Sequence, residues 1–260
     1  MKNTKIEWAD NTWNPLTGCY HGCPYCYARG IATRFASKEK RLNARAFDSG
    51  ECVVILHEPY VFEGKKEPYP FGFIPTFHVY RLNELQTMKK GKTIFVCSMS
   101  DLFGEWVNDG IISQIIDACR KTPQHTYLFL TKNPTRYDDL FVKGIIKPGD
   151  TNFWLGSTVT ELGDPAHYNS AINTFWSVEP ILAPWPDKPI NKKNSYAFPK
   201  WVILGAETGN RKNKVVPKKE WVNHIVDMCR EMGVPIFMKD SLVPIVGEEK
   251  MIREFPWTSK

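Results

Sequence analysis

The sequence predicts an α/β chain whose parallel strands curl into a (β/α) barrel, partial or complete. Short apolar, β-branched and aromatic runs recur without alternating with polar residues, as strands covered on both faces do. Helical periodicities lie between them. The length, 260 residues, is that of one such barrel, so a single domain over 1–260 is expected. An open doubly wound sheet is the alternative. No glycine-rich dinucleotide loop and no P-loop lysine follows any strand, which weakens it.

The first strand is read over Ile6 to Trp13, and the second at Val53-Val54-Ile55-Leu56. Thr93 to Cys97, Tyr127 to Leu130, Phe153 to Gly156, Phe175 to Val178, Trp201 to Leu204 and Pro235 to Met238 follow. A helix is expected over Pro24 to Lys40, with Ile31, Ala32 and Phe35 on one face. Val79, Leu82, Leu85 and Met88 form a stripe closed by Gly91, and Ile111, Ile112, Ile115, Ile116 and Cys119 form a stronger one. Asp164-Pro165 opens a shorter helix. Pro217 fits the first turn of a helix that buries Trp221, Ile225, Val226 and Cys229 and stops at Gly233. Two proline-rich insertions interrupt the rhythm, near 58–75 and near 180–199; loops of that length tend to be functional.

The N-terminus has no apolar leader and no run reaches membrane-spanning length, so a cytoplasmic protein without membrane partners is expected. Seven cysteines, an odd number, argue against a disulfide framework. The formal charge of +6 is modest but unevenly spread. Lys188, Lys192, Lys193, Lys200, Arg211, Lys212, Lys214, Lys218 and Lys219 crowd one stretch, with Trp185, Tyr196, Phe198 and Trp201 interleaved. Cations beside aromatics suit a phosphate-bearing partner, a nucleic acid or nucleotide. A solvated basic loop is the plainer reading.

The chemistry is concentrated in Gly18-Cys19-Tyr20-His21-Gly22-Cys23-Pro24-Tyr25-Cys26. Three thiolates at spacing C-x3-C-x2-C can hold a [4Fe–4S] cluster and leave one iron open, because full coordination takes four. An open metal position is where a substrate or cofactor binds. Zinc on the three cysteines with His21 is the alternative, although His21 lies between the first two ligands and no second Cys/His pair follows. Cys97, Cys119 and Cys229 read as small buried hydrophobes. In a parallel barrel the reactive groups gather at the carboxyl ends of the strands. Asp101, Lys132, Glu161, Glu179 and Lys239 fall there and are the pocket candidates, with about half of such groups expected to face the pocket.

With Tyr25 before the last cysteine, this loop resembles the signature of the radical S-adenosylmethionine (SAM) superfamily. Further stretches extend the likeness: Trp13-Asn14-Pro15, Ser98-Met99-Ser100-Asp101-Leu102-Phe103, Leu130-Thr131-Lys132, Ser177-Val178-Glu179-Pro180 and Gly205-Ala206-Glu207-Thr208-Gly209. From about Trp8 to about Ser241 the chain resembles a phage- and bacterium-encoded, three-Cys, radical-SAM-like family of unknown function. The resemblance implies a radical-SAM-type barrel and a [4Fe–4S] cluster on Cys19, Cys23 and Cys26. It also implies SAM at the open iron, cleaved reductively to start hydrogen abstraction, and a one-electron donor of the flavodoxin or ferredoxin type. Tyr25, Glu58, Ser98, Ser100 and Glu207 are the candidates for holding SAM. Many radical SAM enzymes carry Gly-Gly-Glu after the second strand; this chain reads Leu56-His57-Glu58-Pro59, with Glu58 alone to offer a carboxylate. The competing expectation is a non-catalytic module, braced by zinc or a cluster, that binds nucleic acid.

Overall fold

The computed structural model describes residues 4–36, 53–161, 164–167, 172–185 and 198–257. The chain divides into two compact units, Met1–Asn152 and Phe153–Lys260.

In the first unit the strands are β1 (Asn11–Trp13), β2 (Leu16–Thr17), β3 (Val54–Leu56), β4 (Val61–Phe62), β5 (Lys65–Lys66), β6 (Thr76–His78), β7 (Thr93–Val96) and β8 (Thr126–Thr131). Helix α1 spans Tyr27–Arg34, α2 Asp109–Arg120 and α3 Arg136–Val142. β7 pairs in parallel with β1 on one side and β8 on the other. A separate small sheet has the order β2-β6-β3, and β4 with β5 forms a hairpin inside the first proline-rich insertion.

The Val53–Leu56 run is therefore not the second strand of the parallel set. It pairs with β6 in the small sheet, and Ile55 is about half exposed, as an edge strand allows. The stripe from Val79 folds as a tight 3₁₀ turn over Val79–Thr87, a form that sequence periodicity does not separate from an α-helix over so short a span. Helix α1 stops at Arg34; the rest of the expected helix, from 37, lies outside the described residues. Helix α2 meets its expectation. The Asn108 side chain accepts from Ile111 N (3.0 Å) at the N-cap, and the five periodic apolar residues are buried. Burial contributes roughly 1.5–3 kcal/mol for each isoleucine.

The second unit holds β9 (Phe153–Thr158), β10 (Asn173–Val178), β11 (Val202–Leu204) and β12 (Ile236–Met238), paired in parallel in that order. Gly156 in β9 leaves room for the Phe175 ring, which a Cβ would meet at 2.3 Å. Helix α4 (Lys219–Glu231) buries Val222, Ile225, Met228 and Cys229, and Gly233 follows it at φ 67°. Pro217 sits just before the N-cap, Lys218, instead of inside the first turn. A short helix, α5 (Val243–Val246), comes after β12. Asp164 to His167 are not helical, and 168–171 lie outside the described residues.

Trp185, Phe198 and Trp201 are core residues, 4%, 6% and 0% exposed, so they do not form a stacking surface for bases. Trp201 gathers the rings of Trp154, Phe175, Phe237, Phe255 and Trp257 at centroid distances of 5.2–6.4 Å. Its indole N–H donates to Glu254 O (2.9 Å), in the C-terminal segment that runs alongside β12, where Met238 N donates to Ile252 O and Glu254 N to Ile236 O (both 2.8 Å). Tyr196 and the lysines at 188, 192 and 193 lie outside the described residues.

Candidate functional site

The cysteine loop joins β2 to α1 and is fastened at both ends. Gly18 adopts φ 83°, and a Cβ there would stand 2.3 Å from the carbonyl oxygen of Ile74, so only glycine fits. Its N–H donates to Met99 O (2.9 Å) and its carbonyl accepts from Ser100 Oγ (2.5 Å). Cys19 N donates to Phe73 O (3.1 Å). At the other end Cys26 is the N-cap of α1, and its sulfur accepts from Arg29 N (3.4 Å). A helix N-terminus favours a thiolate.

The segment after β7 provides the anchorage. Asn14 Oδ1 accepts from Ser98 Oγ (3.1 Å) and Met99 N (3.0 Å). Tyr27 donates its hydroxyl proton to Ser98 O (2.8 Å). Asp101, 5% exposed, is the centre of the network. Its Oδ1 accepts from Phe103 N (3.0 Å); its Oδ2 accepts from Lys132 N (2.9 Å) and from His21 Nε2 (2.7 Å). One carboxylate thus ties together the cysteine loop, the exit of β7 and the exit of β8. Trp106 lies edge-on to both His21 (5.0 Å) and Tyr20 (5.5 Å). Lys132 Nζ donates to Tyr25 OH (3.1 Å) and sits 5.3 Å from its ring centre.

Cys19, Cys23 and Cys26 are free, half-buried thiols. Burial pushes the Cys19 thiol up to about 12; the charges of Asp101, Cys23 and Cys26 add to the rise, against a hydrogen bond from the His21 backbone. A cationic metal centre reverses this and takes the proton off a thiol that it binds. Among the described residues no three Cys, His, Asp or Glu side chains draw together as chelation of a single ion requires. Cys23 and Cys26 are nonetheless close enough to Cys19 for their charges to act on it. A cubane distributes its thiolates over separate iron corners, so its ligands need not converge on one point. The donor set fits a cluster: three thiols on one short loop, one of them at a helix N-terminus.

In the second unit the residues after the strands divide into two kinds. The carboxylate of Glu207, 6% exposed, is engaged at both oxygens by Arg211 (2.6 and 2.7 Å), with Val215 N at 3.4 Å. The Arg211 guanidinium holds that carboxyl below its ordinary range. Glu179 forms an ion pair with Lys239. Glu161 is exposed, and its N–H belongs to a turn that Asp164 closes with Thr160 N (2.6 Å) and Oγ1 (2.7 Å).

Of the five residues expected to hold SAM, four belong to the first unit and Glu207 to the second. Tyr25, Ser98 and Ser100 belong to the cysteine-loop network, with both serine protons given to the chain itself. Glu58 is exposed beyond β3, outside the parallel strands, so the reasoning that put it at a barrel rim fails with that strand. Glu207 belongs to the second unit and is engaged by Arg211. Asp101 is an anchor instead of a free pocket acid. Sequence reasoning gave Asn14 no role and His21 only that of an alternative zinc ligand; their partners lie 80 or more positions away, so no local pattern announces these contacts.

The family model described as "Protein of unknown function (DUF5131)" matches residues 3–243. No curated protein matches the sequence. Among solved structures, a cysteine-to-alanine mutant of spore photoproduct lyase with dinucleoside spore photoproduct is 10% identical, with 92% of this chain and 79% of that chain covered at a TM-score of 0.50. A cysteine-to-serine mutant of the same lyase gives the same identity and coverage at 0.48. The first of these likenesses establishes the fold class, an α/β chain of parallel strands in the partial-barrel form.

Proposed function

The chain belongs to the family of proteins of unknown function that matches it over residues 3–243, and we propose that it is a radical SAM-type iron–sulfur enzyme. In this reading Cys19, Cys23 and Cys26 hold a [4Fe–4S] cluster, and SAM is cleaved reductively to begin hydrogen abstraction from a nucleobase, nucleotide or nucleic acid. The whole chain, 1–260, acts as one catalytic domain in the cytoplasm, where thiols stay reduced. No described helix is long and apolar enough to cross a membrane. A flavodoxin- or ferredoxin-type partner delivers single electrons.

The observation that carries the reading is the clamping of the three-cysteine loop onto the carboxyl ends of parallel strands, through Gly18 with Ser100 and His21 with Asp101. That is the end at which α/β folds of this class place their chemistry. When bound, the cluster supplies one electron to the sulfonium of SAM. The chain does the rest by position. The amide of Arg29 and the N-terminus of α1 steady the Cys26 sulfur. Lys132 fixes the Tyr25 ring beside it. Ala28, Ala32 and Met99 pack with Cys26, Tyr69 and Phe73 into an apolar patch that keeps water from one side of the loop. A shared fold with a lyase that binds a dinucleoside photoproduct favours a base-bearing substrate.

Anaerobic reconstitution tests this. The expected protein is brown, carries about four iron and four sulfide per chain, and releases 5′-deoxyadenosine from SAM after reduction. A colourless protein holding one zinc per chain overturns it and favours the braced nucleic-acid-binding module.

A further inference from the structure

Glu179, Gly205 and Lys239 form one row across three neighbouring strands. Val178 of β10 aligns with Leu204 of β11, and Leu204 with Met238 of β12, so the next residue on each strand emerges level with the others. Strands two apart lie about 9–10 Å from each other. The Glu179 carboxylate and the Lys239 ammonium still meet, directly across β11. Gly205 permits this, because a Cβ there would stand 3.0 Å from Glu179 Cγ and 3.2 Å from its Oε1. The pair is neither lost in the core nor fully solvated: the side chains are 23% and 19% exposed. Among the described residues each side chain is the other's only polar partner, whereas the carboxylate of Glu207 is occupied at both oxygens.

The hydrogen-bond inventory then defines the ligand. Contact through Oε1 leaves Glu179 Oε2 free to accept, and the ammonium keeps two of its three protons to donate. The row offers an acceptor beside a donor, with no net charge. A phosphate requires donors and a surplus of positive charge, and here there is no surplus. The complement is a flat edge carrying N–H next to C=O, which amides and imides present and which nucleobases offer to enzymes that read them outside a helix. We propose that Glu179 and Lys239 bind the amide or imide edge of the substrate base, an inference that rests on the base-bearing substrate of the preceding reading.

Equilibrium binding to the reconstituted full chain tests it, with uridine, 3-methyluridine (which lacks the ring N–H) and uridine 5′-monophosphate as probes. Uridine is expected to bind roughly tenfold more tightly than 3-methyluridine. Glu179→Gln and Lys239→Met each remove that preference, and the 5′-phosphate changes affinity by less than about threefold. Melting temperature and iron content show that both variants are folded and loaded. Equal binding of the two nucleosides, a preference that survives both substitutions, or no binding of any probe overturns the proposal. The two readings fail separately. A protein that discriminates the nucleosides but never cleaves SAM sinks only the radical mechanism. One that cleaves SAM but ignores the methyl group sinks only the edge-reading pair.

Discussion

In the first unit the polar residues beyond the parallel strands turn back onto the chain, while in the second one pair of them turns to each other. Ser98, Ser100 and Asp101 spend their hydrogen bonds on Asn14, Gly18, Phe103, His21 and Lys132. Among the described residues, the side chains of Glu179 and Lys239 hold only each other. The difference separates rigidity from reception. A loop of cysteines that must present sulfur in a fixed geometry needs every neighbouring group committed to holding it, whereas a surface that greets a ligand needs valences left over.

The largest effect expected from breaking this contrast comes from the sulfur ligands. Cys26→Ala should abolish cluster retention, read as iron and sulfide per chain, and 5′-deoxyadenosine release with it. Gly18→Ala comes next. It combines a left-handed backbone with a collision against Ile74, and should cost about 3 kcal/mol or more in denaturant unfolding. The same acid-to-amide change then compares the two units directly. Asp101→Asn puts an NH₂ where backbone donors point, in a buried position, and should destabilise by about 2–3 kcal/mol. Glu179→Gln, in a partly exposed pair, should change stability by less than about 1 kcal/mol while altering nucleoside binding. Equal costs at the two positions would undo the distinction.

Acid sharpens the comparison further. Burial pushes the His78 imidazole in the first unit from the usual 6.5 down to about 3. The unfolded chain therefore takes up a proton that the native one refuses, and stability falls as pH drops from about 6.5 towards 3. In the second unit Glu207 is depressed below the ordinary 4.5 by Arg211. Its contribution is complete above that value and is lost only as pH falls through the lower, native one. Unfolding curves collected across this range should show the first unit weakening earlier, and His78→Gln should flatten the slope above pH 5.

Much of this arrangement was legible in the sequence. Unbroken apolar runs mark β7 to β12 because both faces of those strands are covered. The periodicities at Ile111 and Trp221 mark α2 and α4, and the cysteine spacing marks the loop. The failures share a cause, which is that a local pattern does not reveal the distant partner. Val53-Val54-Ile55-Leu56 looks like any buried strand until β6 is found to be its neighbour. Trp185 and Phe198 suggested base stacking beside lysines, but they pack on Trp176 at 6.2 and 5.1 Å. Asp101, Glu207 and Glu179 have the same acidic chemistry on paper. Which of them closes a loop is decided by backbone amides that only the folded chain brings near.

The nest of rings around Trp201 has a practical consequence. Chromophores locked at interplanar angles of 39–81° lie in a chiral environment that survives only while tertiary packing does. Near-ultraviolet circular dichroism should therefore follow the melting of the second unit through its own optical signature. Shortening the polypeptide before Phe255 should dim that signature while the backbone signal persists.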